Sequence, residues 1–455
     1  MTEQRGGAGE TTDVVVVGGG LAGHAAALAA ADAGAEVVLL EKCAEFGGSS
    51  AMAGGGLALA GTELQRQEGV ADTPEDLRAD LLAAGRGHSH EELVDTYVWT
   101  QQETYTWLCG LGAEFSLTGA PVRRLHTMPS GALVALLHRR VETHENISYR
   151  HLAAADTLLT ADRWVGGVAV RGAEGVFDLR ARRAVILANG GFSRNRQLVS
   201  ELAPAAAGAV AMGGTGNEGD GLTMARAVGA DLAGMEFVEA SFGASVRADV
   251  ETRLLYAQSD GAVIVNSRGD RFAGEDEDIK ALGRAVAQQP GRLAYQLFDH
   301  STMRKSRTTP KPRDFAAALR DGLLYQAPSI TELAEAISVP PTAVAEAMKG
   351  LTEAPFYAFA CTAGLTSTYG GLRVNGRLEV LDTDGHPIDG LFAAGEVVGG
   401  FHGAGYLIGS ALGKAAVFGY AAGRTAAARP PHLMSADDGD GVLPAPSMSE
   451  SGAEP

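Results

Sequence analysis

Residues 13–42 read DVVVVGGGLAGHAAALAAADAGAEVVLLEK, a run that leaves few folds open. Residues 14–17 are four valines, too few and too β-branched for a helix but suited to a central parallel strand buried on both faces. Gly18, Gly20 and Gly23 then give G-x-G-x-x-G, with Leu21 and Ala22 opening an Ala-rich helix over 22–34 and a second strand over 36–40. In such a unit the first glycine makes the turn, the second lets backbone N–H groups approach a pyrophosphate, and the third lets the helix pack on the strand. Phosphate is favoured at the positive end of the helix dipole. Glu41 ends the second strand 18 residues after Gly23, where a carboxylate accepts from both hydroxyls of an adenosine ribose and repels a 2′-phosphate. The run predicts a dinucleotide site.

Composition excludes more than it selects. A net charge of -18 over 455 residues argues against nucleic acid and anionic membranes, which need a positive field. The basic stretch RKSRTTPKPR (304–313) reads as a solvated loop broken by Pro310 and Pro312. Cys43, Cys109 and Cys361 show no CxxC or Cys/His spacing, so no disulfide framework and no metal site are expected, and a reducing cytoplasm is. Nothing approaches the ~18 uninterrupted apolar residues of a spanning helix. The acidic, Gly-rich start lacks the basic region of a signal peptide. Residues 1–11 and 431–455 read as flexible tails.

Directly after Glu41, KCAEFGGSSAMAGGGLALAGT (42–62) is a second small-residue run, as a ligand extending past the pyrophosphate requires. AVILANGGFSRN (184–195), GTGNEGDGLTMARAVGADL (214–232) and GLFAAGEVVGGFHGAGYLIGSALGKAAVFGYAAGR (390–424) follow in order. Together these resemble the flavoprotein family of fumarate reductases, succinate dehydrogenase flavoprotein subunits and 3-ketosteroid dehydrogenases, over about residues 12–428. The resemblance implies an α/β fold with a Rossmann-like FAD-binding domain, a parallel β-α-β sheet at 12–235 and 351–430. An inserted α+β capping domain at 236–350 would close over the flavin and leave the substrate between domains.

By the same resemblance, FAD contacts extend from the glycine loop and Glu41 to Lys42, then to Gly48, Ser49, Ser50, Gly54, Gly55 and Gly56 beside the ribityl chain and flavin. Ala188, Asn189 and Gly190 lie on the returning strand and turn, Asp220 in the third run, and Gly395 and Glu396 at the ribityl. Ser410, Ala411 and Leu412 begin a helix aimed at the flavin's pyrimidine edge, where the dipole favours negative charge. Succinate dehydrogenases bond flavin to a histidine in the stretch corresponding to 49–54. None stands there, so FAD is expected to be noncovalent.

Within the cap the sequence predicts a strand pair over 261–274, the basic loop, and two helices, ITELAEAI with a Ser329/Glu332 capping box and TAVAEAMKGL after Pro340–Pro341. Fumarate reductases clamp two carboxylates with arginines, histidines and a Thr-Glu pair. Their HGANR loop reads HGAGY here, keeping His402 but placing Tyr406 at the arginine. The HPT histidine becomes Ser241, the arginine acid falls at Ile279 beside Lys280, and the Thr-Glu pair at Leu254 and Leu255. Each lost charge-assisted contact is worth ~1.5–3 kcal/mol, which counts against a dicarboxylate. Ketosteroid dehydrogenases carry YPGAG, read here as Phe401-His402-Gly403-Ala404-Gly405, so the tyrosine is missing but Gly405 remains.

The expected chemistry is formation or reduction of a carbon–carbon double bond next to a carbonyl. It needs flavin N5 facing the β-carbon, a base for the α-proton, and donors for the enolate oxygen. The candidates are the Gly405 N–H with Tyr406 or His402 as donors and a tyrosine, Tyr406 or Tyr369, as acid/base. The expected substrate is a cyclic ketone or other mostly apolar carbonyl compound. With no haem or iron–sulfur motif, a separate acceptor or donor (oxygen, quinone or a carrier protein) completes the cycle. A reductase of an unsaturated carboxylic acid and a catalytically inactive flavin-binding partner or sensor remain as alternatives. Tyr256 is open between pocket and core and His126 between cleft and structure. Tyr105 and Trp107 are expected in a helix core, and His138 and His144 at the surface.

Overall fold

The computed structural model describes residues 10–119, 122–161, 164–173, 175–246, 253–308 and 311–432. Most of both expected tails, and Pro310, lie outside the described residues. The chain divides into two compact units: Met1–Asn195, Gly214–Phe237 and Thr368–Pro455 form the first, and Arg196–Gly213 with Val238–Ser367 the second.

The first unit grows from the glycine run. Strand Glu10–Val17, helix Leu21–Asp32 and strand Val37–Leu40 follow in sequence, and the strands run parallel from Val14↔Val37 to Val17↔Leu40. Val14, Val15 and Val16 are fully buried, as a strand covered on both faces requires. Gly175–Leu187 lies parallel on the other side (Val17↔Leu187), and Pro387–Ala393 is parallel to it (Ala393↔Leu187). Ile147–Arg150 flanks Val37–Leu40. Distant segments thus end together at the level of the glycine loop.

Above this sheet the last helix, Ser410–Ala427, packs along Leu21–Asp32. A Cβ on Gly419 would stand 2.4 Å from the Ala22 carbonyl oxygen, and one on Gly423 2.3 Å from that of Ala26. Residue numbers rise together along the contact, so the helices are parallel and both N-termini point the same way. At about 1.5 Å per residue, Ser410 lies roughly 13 Å beyond the level of Ala22.

The second unit is a six-stranded sheet with Phe356–Thr368 central, antiparallel to Ala294–Phe298 and Leu324–Ala327. One core holds Phe242, Phe298, Phe315 and Phe359. Another lies under helices Ile330–Ala336 and Pro341–Ala347, with Leu333, Ile337, Val344 and Phe356. These pairings draw residues 356–367 into this unit, whereas the resemblance set its end at 350. The strand pair expected over 261–274 is a single strand, Val263–Asn266, which pairs with Ala294–Phe298. Its Asn266 carboxamide oxygen accepts from the N–H groups of Arg268 and Asp270, and this turn ends the strand. Ser329 caps its helix by accepting from Glu332 N, but the Glu332 carboxylate accepts from the Ser329 hydroxyl instead of closing the box on the backbone. Nor is the basic stretch merely solvated: Arg307 and Arg313 lie on Asp260, and Arg304 on Glu353. Among the described residues no helix is long and apolar enough to cross a membrane.

Gly423→Ala tests the helix contact. Alanine gains ~1 kcal/mol in helix propensity, but its methyl meets a backbone carbonyl that cannot rotate away. The expected net effect is destabilisation of about 1–3 kcal/mol, read by denaturant unfolding.

Candidate active site

The residues expected to hold the cofactor all fall in the first unit. Gly18 has φ +112, and a Cβ on Gly23 would lie 1.8 Å from the Gly18 carbonyl oxygen, so turn and helix contact both require glycine. Gly20 differs: a Cβ there meets nothing closer than Ser50 Oγ at 3.8 Å and Gly47 O at 4.0 Å. Its bareness serves something other than the protein's own packing. Glu41 is buried, its Oε2 accepting from Gly19 N at 2.8 Å and its Oε1 from Cys43 N at 2.7 Å. Ser50 Oγ accepts from Leu21 N at 3.2 Å, tying the second small-residue run to the first turn of the helix that also carries Ala22.

That second run divides in two. None of helix Gly48–Met52 is buried, and a Cβ on Gly48 or Gly54 would meet nothing within 4 Å. Gly55 and Gly56 are small for the protein's sake: a Cβ on Gly55 would strike Met128 O at 2.1 Å, and one on Gly56 the Leu125 side chain at 2.7 Å. Ser49 Oγ accepts from Gly214 N at 2.9 Å. Lys42 and Asp220, both expected on FAD, pair with each other at 2.7 Å, and Glu218 joins at 2.6 Å. Burial opposes the Lys42 charge, but these two carboxylates hold it above the ordinary lysine range.

On the returning strand Ala188 donates to Val17 O, and on half-buried Asn189 the carboxamide Oδ1 and Nδ2 are both buried and lack a partner among the described residues. Gly190 packs on Asn217, whose Nδ2 donates to Glu396 Oε2 at 2.9 Å, while Glu396 Oε1 accepts from Thr368 N at 2.9 Å. Gly395, at φ +78 and next to this acid, packs against Ala22: a Cβ there would lie 2.7 Å from the Ala22 methyl. The last helix starts at Ser410 after Gly409 at φ +88, with Ala411 and Leu412 half-buried in its first turn. An orphaned buried carboxamide, open small-residue backbone, a held acid at each end and two aligned helix N-termini fit an extended dinucleotide.

Beside this N-terminus three expected catalytic side chains meet. The rings of Tyr369 and His402 are 4.8 Å apart, those of Tyr369 and Tyr406 stack at 6.2 Å, and those of His402 and Tyr406 lie at 5.6 Å. His402 is buried, its Nδ1 3.4 Å from Ser410 Oγ. The Tyr406 hydroxyl accepts from Gly409 N at 3.2 Å. Gly405 N reaches His402 O at a long 3.4 Å, and a Cβ on Gly405 would strike Ala84 O at 2.1 Å.

The family model described as FAD binding domain matches residues 13–412. The chain belongs to that family. A fumarate reductase (cytochrome) of Shewanella frigidimarina is 31% identical over 420 residues, covering 85% of this chain and 72% of the relative. Among solved structures, the open conformation of a flavocytochrome c3 fumarate reductase superposes with TM-score 0.82 at 30% identity, covering 92% of this chain and 78% of that one. A 3-ketosteroid-Δ4-(5α)-dehydrogenase from Rhodococcus jostii RHA1, in complex with 4-androstene-3,17-dione, does so with TM-score 0.71 at 28% identity, covering 92% and 97%. This member of the FAD-binding family is an FAD-dependent oxidoreductase acting on carbon–carbon bonds.

Ser241, Ile279 and Leu255, which the resemblance equates with parts of the dicarboxylate clamp, fall in the second unit. Ser241 is buried, Ile279 opens a helix, and Leu255 is 3% exposed in the phenylalanine core. What the sequence reading missed is Glu239, whose Oε1 lies 3.4 Å from Lys280 Nζ. Burial, more than this acid offsets, holds Lys280 below the ordinary lysine range. Tyr256, half-buried, is pushed up to about 12 by burial and by Glu239. His126 is structural, bonded to Thr62 Oγ1 and Arg124 O. Tyr105 and Trp107 are half-buried, not core, with Trp107 Nε1 donating to Asp32.

His138 corrects the surface expectation. It is buried, stacks on Phe46 at 3.7 Å, and bonds His24 Nε2 at 3.0 Å, while His24 Nδ1 lies 2.9 Å from Gly20 O. Burial pushes His24 down to about 4, so it stays neutral and donates from Nδ1 to brace the glycine loop. Only its place right after Gly23 hinted at this. Asp382, Asp384 and His386 carry ligand-type atoms within 4.8 Å on a surface turn, but Asp382 Oδ1 already accepts from the N–H groups of Asp384 and His386.

Because a side chain at Gly20 meets little protein, Gly20→Val should fold with near-normal thermal stability yet purify with little FAD. Absorbance at 450 nm against 280 nm reads the content, and wild-type flavin content would remove Gly20 from the phosphate site.

Proposed function

We propose that the protein forms or reduces the carbon–carbon double bond next to the carbonyl of a cyclic ketone or similar mostly apolar compound, using noncovalently bound FAD. The observation that carries this reading is the packing of Tyr406, at the position the resemblance equates with the clamping arginine, against the rings of His402 and Tyr369. Gly18, Gly20, Gly23 and Glu41 would hold the adenosine and pyrophosphate, and Asn189, Glu396 and Ser410 the remainder. When bound, FAD supplies the acceptor for a hydride from the β-carbon.

This chain's own residues manage the proton and the oxygen. The Tyr406 oxygen accepts from Gly409 N–H, which fixes the ring and turns the phenol proton to donation. A carbonyl oxygen gathering negative charge as the α-proton leaves is the matching acceptor, with Gly405 N–H as second donor. Tyr369, tilted on the His402 ring and stacked on that of Tyr406, is the candidate acid/base. A tyrosine starts near pKa ~10, and His402 with Ser410 offers the relay it requires. Electrons then pass to or from a separate partner, oxygen, quinone or a carrier protein, in a cytoplasm that suits three free cysteines.

Reduction of an unsaturated carboxylic acid, with His402 on the carboxylate, is the second reading, favoured by 31% identity to a fumarate reductase. Anaerobic mixing with a panel of cyclic ketones, enones and unsaturated acids separates the two. Flavin bleaching by ketones is expected, and turnover with fumarate alone selects the acid.

Tyr406→Phe should keep FAD and fold but lose about 10² to 10³ in rate, the range for a lost oxyanion donor. Wild-type turnover in this variant would make Tyr406 a packing residue. Heat or acid should release FAD from the native protein; flavin that stays with the precipitate contradicts the noncovalent assignment.

A further inference from the structure

One turn behind Ser410, the last helix carries a lysine that the chemistry above does not use. Lys414 is 2% exposed. Its Nζ donates to Val398 O at 3.0 Å and lies 5.8 Å from the centroid of the Phe401 ring. Among the described residues no carboxylate comes within ion-pair distance of it. Glu396 acts on it through space, with its oxygens already accepting from Thr368 N and Asn217 Nδ2. His402 approaches the same turn at Ser410. Tyr97, from the helix packed alongside, sits against Gly413 and donates to Ala58 O; burial holds its hydroxyl well above the usual range, so it adds no charge.

Burying an ammonium costs more than one carbonyl and one ring face return. A methionine would fill the same space without that cost, so packing alone does not account for the lysine. Burial brings Lys414 down to about 8, which leaves it mostly protonated at pH 7. The positive charge therefore persists on a side chain whose backbone lies about 6 Å behind the helix N-terminus, where solvent and salt screen it weakly.

We propose that the buried Lys414 ammonium, adding to the positive end of the last helix, favours the negative charge that hydride uptake adds to the bound flavin, and so raises its reduction potential. Lys414 touches no reacting atom and is a tuning residue, not a catalytic one. The inference rests on the reading that Ser410–Leu412 face the pyrimidine edge of FAD.

The test compares flavin midpoint potentials of substrate-free wild type, Lys414→Gln and Lys414→Met from pH 6 to 10, by equilibration with redox dyes. Glutamine can keep the bond to Val398 O without the charge; methionine keeps neither. At pH 7 both variants should favour oxidised flavin about tenfold more than wild type, about 30 mV for a two-electron couple. The gap should close as pH rises past 8, when the wild-type lysine loses its proton. A normal potential in Lys414→Gln with a shift only in Lys414→Met assigns the hydrogen bond instead and overturns the proposal.

Unfolding of the apoprotein is the second readout. The folded lysine, near 8, titrates below the ordinary lysine value of 10.5, so between these values the unfolded chain binds more protons and wild type gains stability with rising pH. Lys414→Met lacks this gain and should melt higher than wild type at pH 7. A lower melting point overturns the claim that the charge is kept at a cost. Stability that behaves as stated with unchanged potentials means the charge is buried but the flavin's pyrimidine lies elsewhere, which overturns the tuning role and the orientation reading together. Loss of FAD from both variants, with their fold intact, assigns Lys414 to cofactor retention and also overturns the proposal. Absence of FAD from wild type would instead overturn the cofactor assignment.

Discussion

The parallel contact between Leu21–Asp32 and Ser410–Ala427 is what the rest of the first unit depends on. Nearly four hundred residues separate these helices in sequence, yet alanines and glycines let their backbones touch. Closeness gives dispersion contact at every turn, and parallel running aligns their dipoles. An N-terminus of one helix at a phosphate is an ordinary device. A second, offset by roughly 13 Å in the same direction, lets one extended ligand be held at both ends. Glu396 enters the same arrangement through its neighbour Gly395, which packs against Ala22.

How legible this was in the sequence depended on whether a local rule or a tertiary choice decided. The glycine loop, the buried valines and Glu41 could be read because phosphate approach and helix packing demand small residues at fixed spacing. Gly55 and Gly56 looked identical to Gly54 as letters but serve a strand contact with Leu125 and Met128, which no spacing reveals. The strand expected after Val263–Asn266 failed for a similar reason: a side-chain turn at Asn266 ended it, and its neighbour came from Ala294–Phe298.

Charged and titratable residues were the least legible. His402 and Tyr406 were singled out through the resemblance, whereas the approach of Tyr369 to them, His24 with His138 and Glu239 with Lys280 were not legible, because each joins segments remote in sequence. A lone histidine or lysine says nothing about burial until its neighbours are known, and burial is what sets its charge. Lys414, on a helix rich in alanine and glycine, was visible as a letter but not as a buried cation.

The chain leaves the first unit twice, after Asn195 and after Phe237, and both times returns next to its point of departure. Arg194 bonds Asn217 and Gly214 across the first gap, and Tyr369 N donates to Phe237 O across the second. Adjacent ends mean that replacing either excursion with a longer or shorter one changes loop-closure entropy only logarithmically. Such a layout lets evolution, or an engineer, exchange the second unit as a cassette while the dinucleotide cradle stays untouched.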